Sequence, residues 1–193
     1  GDWILVLQAG DWLAGPSALE DLFESVDANE HDILIAGFNE LSIDGKRQRR
    51  RPSNPSNKLA DLKSGRFKAP GPHWLGGMPC HQAILMRRSW CQRFPFDLNV
   101  RISADWLQLF EAIDAGARVG MSSTELSWYP NGGYSFDHSQ VWIENVIDIA
   151  KRFQADHAAV DHYFAGALAE HTAMTQQRRQ QKLALERWYP SWS

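Results

Sequence analysis

Four short segments of the chain carry side chains that could do chemistry. Gln8-Ala9-Gly10-Asp11-Trp12 places one acid after an apolar run, and Cys80-His81-Gln82 places a thiol, an imidazole and an amide at the head of another. Ser103-Ala104-Asp105-Trp106 opens an amphipathic stretch with an acid, and Gly132-Gly133-Tyr134-Ser135 is a glycine-rich polar segment. A carboxylate can help to hold a divalent ion or take a proton from an attacking hydroxyl. Each residue type also has an ordinary structural use. Asp at a helix start accepts backbone N–H bonds as an N-cap, and the helix dipole keeps it ionised there. Asp11 therefore reads either as a metal ligand or as the cap of a turn ahead of Pro16. Asp105 reads either as a base or as a helix cap. His81 and Gln82 line a pocket or, for the histidine, sit satisfied in a core. Trp106 stacks on a ligand ring or packs inside. Gly132, Gly133 and Ser135 form a flexible loop or a plain turn.

Alternating strand and helix patterns must position these groups. Trp3 to Leu7 reads as a buried strand by its run of large apolar residues. Pro16 to Glu20 reads as a helix start, with Leu19, Leu22, Phe23 and Val26 on one face. Asp32 to Phe38 is a second strand, and Asp44-Gly45 after it is a turn dipeptide that suits a hairpin. Lys46 to Lys68 is polar and basic, with Pro52, Pro55 and Gly65, and reads as a mobile loop. Met78 to Arg87 returns to an apolar strand pattern that Cys80-His81-Gln82 opens. Ala104 to Ala117 is an amphipathic helix ending near Gly116. Met121 to Tyr129 is a further strand that Asn131-Gly132-Gly133 breaks, and helices fill much of 139–187. Strands that alternate with helices predict an α/β fold.

Bulk composition narrows the function classes. The chain has 193 residues, 44% hydrophobic and 22% charged, enough for one domain with a substantial core. A net charge of −3 carries no general nucleic-acid signature. The two cysteines, Cys80 and Cys91, are too few for a disulfide framework and read as free thiols in a reducing compartment. No apolar run approaches the ~20 residues of a membrane span. The seven histidines show no zinc spacing, and G-x-S-x-G is absent, which disfavours a metal-dependent or serine hydrolase. The chain starts at Gly1 directly in a strand pattern, which suggests that structure precedes it in a longer protein.

Taken in order, Cys80-His81-Gln82, Phe96-Asp97, Ser103-Ala104-Asp105 and Gly132-Gly133-Tyr134-Ser135 resemble the family 2 glycosyltransferases. These are inverting enzymes with the nucleotide-sugar-binding GT-A fold, and many show an "HQ" strand, an "FD" turn, an "aaD" helix start and a "GG-S" loop. The opening G-x-W-I-x-x-L-x-A-x-D-W-L is similar to the family's G-x-y-i-x-f-L-n-a-D-D-w-l. The resemblance covers residues 1 to about 153, and 154–193 is then a C-terminal helical extension. It implies the C-terminal part of a GT-A fold with a mixed sheet. It implies transfer of a sugar, with inversion, from a nucleotide-diphosphate sugar to a glycan or lipid-linked acceptor. Asp105 falls on the catalytic base, and His81, Gln82, Trp106, Gly132, Gly133 and Ser135 fall on substrate-binding positions. Asp11 falls on the second of the family's paired acids, which hold Mg²⁺ or Mn²⁺ against the leaving diphosphate. Gln8 and Gly10 stand where further acids are expected, so the metal set is reduced to one carboxylate.

That reduction, with the absence of the family's upstream nucleotide-binding strands, keeps a second reading open: a non-catalytic, glycosyltransferase-like module that binds a sugar or a protein. The implied location is cytoplasmic. The basic run Lys46-Arg47-Gln48-Arg49-Arg50-Arg51 reads as a solvated loop, with contact to anionic lipid head groups at the inner face of a membrane as the functional alternative. The terminal QQRRQQKLALERWYPSW reads as a polar helix with an aromatic end.

Overall fold

The computed structural model describes residues 1–42, 45–66, 77–130 and 138–165, together with positions 176 and 180. Six strands form one mixed sheet: β1 (Trp3–Leu5), β2 (Trp12–Leu13), β3 (Ile33–Leu41), β4 (Arg47–Arg50), β5 (Ile84–Arg87) and β6 (Val119–Pro130). Their order is β1-β5-β3-β6-β2, with β4 pairing to β3 beyond the reach of β5. The β3–β6 pair is parallel, and all the others are antiparallel. The helices are α1 (Ala18–Ser25), α2 (Pro55–Lys63), α3 (Arg88–Arg93), α4 (Ala104–Asp114) and α5 (Ser139–Phe153), followed by a helical stretch over 157–165. The expected mixed α/β architecture is therefore present.

Strand β3 organises the core because its apolar residues are buried on both faces. Leu34 and Ala36 pack with Ala18 and Leu22 of α1, and Ile33 and Ile35 pack with Leu109 and Ala112 of α4. This period-2 division follows from strand geometry. Helix α4 is in turn buried on two sides. Its Leu107 and Phe110 join Leu59 and Leu62 of α2, Val146 and Ile149 of α5, and Val160 and Phe164 of the 157–165 stretch. The first layer of helices thus covers both faces of the sheet, and a second layer covers α4.

A bulge in β6 reshapes the far half of the sheet. Between the pairs Ile35↔Met121 and Gly37↔Glu125, β6 spends more residues than β3. Extra residues in one strand bend it and raise its twist. Gly37 lies at the bend, where a Cβ would stand 3.2 Å from the Thr124 carbonyl oxygen and 3.3 Å from that of Arg50. Glycine lets the three backbones approach this closely, and a side chain here would push them apart by a few tenths of an ångström.

Several expectations are corrected. The 46–68 segment is not one mobile loop. Arg47–Arg50 forms β4 against β3, and Pro55–Lys63 forms α2. The hairpin is therefore real, although Asp44 of its turn lies outside the described residues. Strand β4 was hidden because four polar residues carry no apolar alternation; backbone pairing and side-chain ion pairs hold it instead. Helix α2 had a legible start, since the Asn54 side chain accepts from Ser56 N at 2.9 Å with Pro55 in the first turn. Strand β1 is shorter than Trp3 to Leu7 and half-buried at the sheet edge, with Val6 and Leu7 exposed. Helix α1 buries Ala18 and Leu22, whereas Leu19 and Phe23 face outward. The small Ala18 lets the helix lie close on the sheet, and Phe23 instead meets the edge of Trp3 at 5.9 Å. His81 and Gln82 do not open the strand. They lie with Ala83 in a 3₁₀ turn before β5. Among the described residues, no helix is long and apolar enough to cross a membrane.

Candidate functional site

Three of the singled-out residues, widely separated in the chain, meet beside the C-terminal half of β3. His81 lies between two carboxylates, with Nε2 3.8 Å from Asp11 Oδ2 and Nδ1 3.6 Å from Asp105 Oδ2. These separations are just beyond hydrogen-bond length, as catalytic contacts often are before substrate closes them.

A different local device supplies each member. Asp11 ends a tight turn: its backbone N donates to Gln8 O at 3.0 Å, and its Oδ2 accepts from Gln8 N at 2.9 Å. Gly10 adopts φ +97° in this turn, a conformation that disfavours any side chain. Glycine at position 10 is thus what the turn favours, through backbone freedom and not through charge. Asp11 does cap a turn, and the same turn aims its carboxylate at His81. His81 is held by the 3₁₀ turn, in which Ala83 N donates to Cys80 O at 2.9 Å. Asp105 lies in the first turn of α4, but Ser103 is the cap residue. Ser103 has φ 70°, left-handed and strained for a non-glycine, and its side chain makes no capping bond. Asp105 is thereby left to face His81 rather than the helix N–H groups.

Trp106 pins the turn to the helix. Its Nε1 donates to Pro79 O at 3.2 Å, and its ring meets Trp142 edge-on at 5.8 Å, within the apolar cluster under α4. Gln82 is buried, 1% exposed. Gly132, Gly133 and Ser135 lie outside the described residues. Asp97 of the Phe96-Asp97 turn stands apart from the cluster, bound to Asn99 and, at 2.8 Å, to Arg152 of α5.

The two carboxylates differ in access. The Asp11 side chain is 5% exposed and that of Asp105 is 22% exposed. Asp105 is thus the acid that a substrate can reach. Negative charge is concentrated around them. Burial, then the carboxylates of Asp105, Glu40 and Asp11, push the Cys80 thiol up to about 12, against the pull of Arg50. Cys80 is therefore a neutral wall of the site and not a nucleophile. Glu40 and Arg50, joined Nε to Oε2 at 2.6 Å, border the same region. Neither was singled out in the sequence. Arg50 was hidden inside a basic run, and only the β3–β4 pairing brings the two together.

Polar satisfaction also marks this region. Among the described residues, four buried side-chain atoms have no hydrogen-bond partner: His81 Nε2, Gln82 Oε1, Ser103 Oγ and Ser127 Oγ. Such orphans are rare in folded proteins, and each calls for an explanation. Three of the four belong to the 3₁₀ turn or to the residue that caps the Asp105 helix.

As a divalent-metal site the cluster offers one carboxylate at the expected position, Asp11, with little open space around it. Asp11 is nearly closed to solvent and its Oδ2 already accepts a backbone bond, whereas Mg²⁺ keeps several waters and an open octahedral sphere. Among the described residues, no group of three His, Cys, Asp or Glu side chains could hold a metal ion. The arrangement can instead accept a proton at Asp105 and hold an imidazole against two negative charges. No protein-family model matches the chain, and no curated protein matches it either.

Proposed function

We propose that the chain carries the acceptor-activating part of an inverting glycosyltransferase, which moves a sugar from a nucleotide-diphosphate sugar to a glycan or lipid-linked acceptor. The observation that carries this reading is the meeting of Asp11, His81 and Asp105, drawn from three segments that resemble the motifs of one enzyme family. Asp105 is the base: the more exposed carboxylate takes the proton of the acceptor hydroxyl as its oxygen attacks the anomeric carbon and the diphosphate leaves. His81 stands between the two acids, 3.6 Å from Asp105 and 3.8 Å from buried Asp11, within reach of either once a bound substrate draws the cluster together. Placement at the carboxyl end of β3 agrees with the general position of ligand sites in open α/β sheets. Each step of this reading is carried by the side chains of Asp105 and His81.

The test is donor binding and turnover with the UDP, GDP and dTDP sugars, each with and without Mn²⁺. Thermal shift reads binding, and release of the nucleoside diphosphate reads turnover. Binding with release that depends on an acceptor glycan supports the reading. Asp105→Asn should then cut turnover about 10²- to 10⁴-fold, the usual contribution of a positioned base, with donor binding retained. Wild-type turnover in Asp105→Asn would remove Asp105 as the base. Sugar binding without turnover would favour the non-catalytic module, for which the single nearly closed acid at Asp11 already speaks.

A further inference from the structure

We propose a second carbohydrate-binding surface, on the sheet face opposite the Asp11–His81–Asp105 cluster, that takes a neutral oligosaccharide. Arg49, Asn39, Trp128 and Trp12 are register partners in one row across β4, β3, β6 and β2. Partners in register project to the same face. The alternate residues Arg50 and Glu40 project to the other, joined Nε to Oε2 at 2.6 Å, and they are the pair that acts on Cys80. The row therefore looks away from the cluster.

The row ends in an aromatic platform. Trp12 stacks on Trp128 with centroids 6.0 Å apart and planes 10° from parallel. The Arg47 guanidinium lies 5.2 Å from the Trp128 ring centroid and stiffens the stack. Trp12 is 46% exposed, and among the described residues neither indole belongs to a core cluster. An indole left half in water at the end of a stack offers an apolar face for a ligand to cover. At the other end of the row Arg49 borders a cleft of about 340 Å³ with Ser17, Asp21, Thr124 and Glu125.

Charge selects the occupant. Arg49 Nε is paired with Glu125 at 2.7 Å and its Nη2 donates to Ser123 O at 3.1 Å, so its charge is already matched. Asp21 adds a further acid to the cleft. A phosphate backbone would meet these carboxylates, which disfavours single-stranded nucleic acid despite the aromatic stack and nearby arginines. An oligosaccharide fits both halves. The C–H face of one sugar lies on the negative π face of Trp12, and hydroxyls of a further sugar donate to the Asp21 and Glu125 carboxylates of the cleft. The surface does not depend on whether the cluster on the other face is a transferase site.

The test is titration of the full chain with cellohexaose, maltohexaose, chitohexaose and mannohexaose, read by tryptophan fluorescence and indole N–H NMR. At least one should bind and shift the Trp12 and Trp128 signals. Trp12→Ala, at an exposed edge position, should weaken that sugar about tenfold, the value of one good aromatic contact, with an unchanged far-ultraviolet dichroism spectrum. Trp12→Phe, which keeps a smaller ring, should bind with intermediate affinity. The proposal fails if none of the four sugars binds, if the affinity is the same in Trp12→Ala, or if an oligo-dT strand binds through Trp12 and the sugars do not.

Discussion

The two ends of β3 hold similar residues in opposite states. At its N-terminal end, Asp32 Oδ2 accepts from Arg118 N at 2.9 Å and from Arg118 Nε at 3.3 Å. Arg118 also reaches Glu30 and the Asn29 carbonyl, while Arg87 donates to the carbonyls of His31 and Ala28. His31 Nδ1 lies 2.8 Å from the Asp27 carbonyl. Each of these groups closes on a partner within the fold. At the C-terminal end, His81, Gln82, Ser103 and Ser127 each keep an unpartnered buried atom, and one backbone residue is strained. Acids, histidines and arginines stabilise the first end. At the second, the fold tolerates a local penalty, as it does where a ligand completes the bonding. Residue type does not separate the two ends. Unpartnered buried atoms do.

Mutations that exchange the two ends' behaviour test this contrast. The largest effect expected is Asp105→Asn, which should abolish most turnover and leave thermal stability almost unchanged. The mirror experiment is Asp32→Asn, which should leave any turnover intact but lower the unfolding free energy by about 1–3 kcal/mol, the usual cost of losing charge-assisted bonds to a partly buried carboxylate. Denaturant melts of both variants check the pair. The contrast breaks if Asp105→Asn is the more destabilising of the two.

Acid should act on the satisfied regions first. Burial alone would raise the Asp32 carboxyl, but bonds from Arg118 and Trp90 outweigh it and hold the group below its ordinary range. Arg152 and Asn99 do the same for Asp97. A depressed folded value means that the stabilisation is complete above the unfolded carboxylate value of about 3.9. It is lost as pH falls through the folded values. Denaturant midpoints should therefore fall steeply at the acid end, and more gently in Asp97→Asn. The smallest effect is Ser127→Ala. Its Oγ is buried without a partner, so removal should be neutral or slightly stabilising, within about 0.5 kcal/mol. A clear loss of stability would mean that the hydroxyl has a partner after all.

Parts of this contrast were legible early. Asp11, His81 and Asp105 were singled out from residue order, and the structure brings all three together. Glu40 and Arg50 were not, because neither belongs to a motif and their pairing depends on a hairpin whose second strand is polar throughout. The platform was missed for the same reason. Trp12 and Trp128 are more than a hundred residues apart, and nothing local says that one edge strand will set them face to face.

By itself the sequence determined the local devices. Alternating apolar runs specified β3 and the core of α4, Asn54-Pro55 started α2, and Gly10 allowed the turn that presents Asp11. These follow from side-chain size, backbone freedom and hydrogen-bonding capacity within a few residues. Tertiary structure decided the rest: which face of α1 is buried, that a basic run becomes a strand, and which polar atoms are left without partners. Burial and long-range pairing are properties of the assembled sheet. A carboxylate becomes a staple or a reactive group only when the fold settles what stands opposite it.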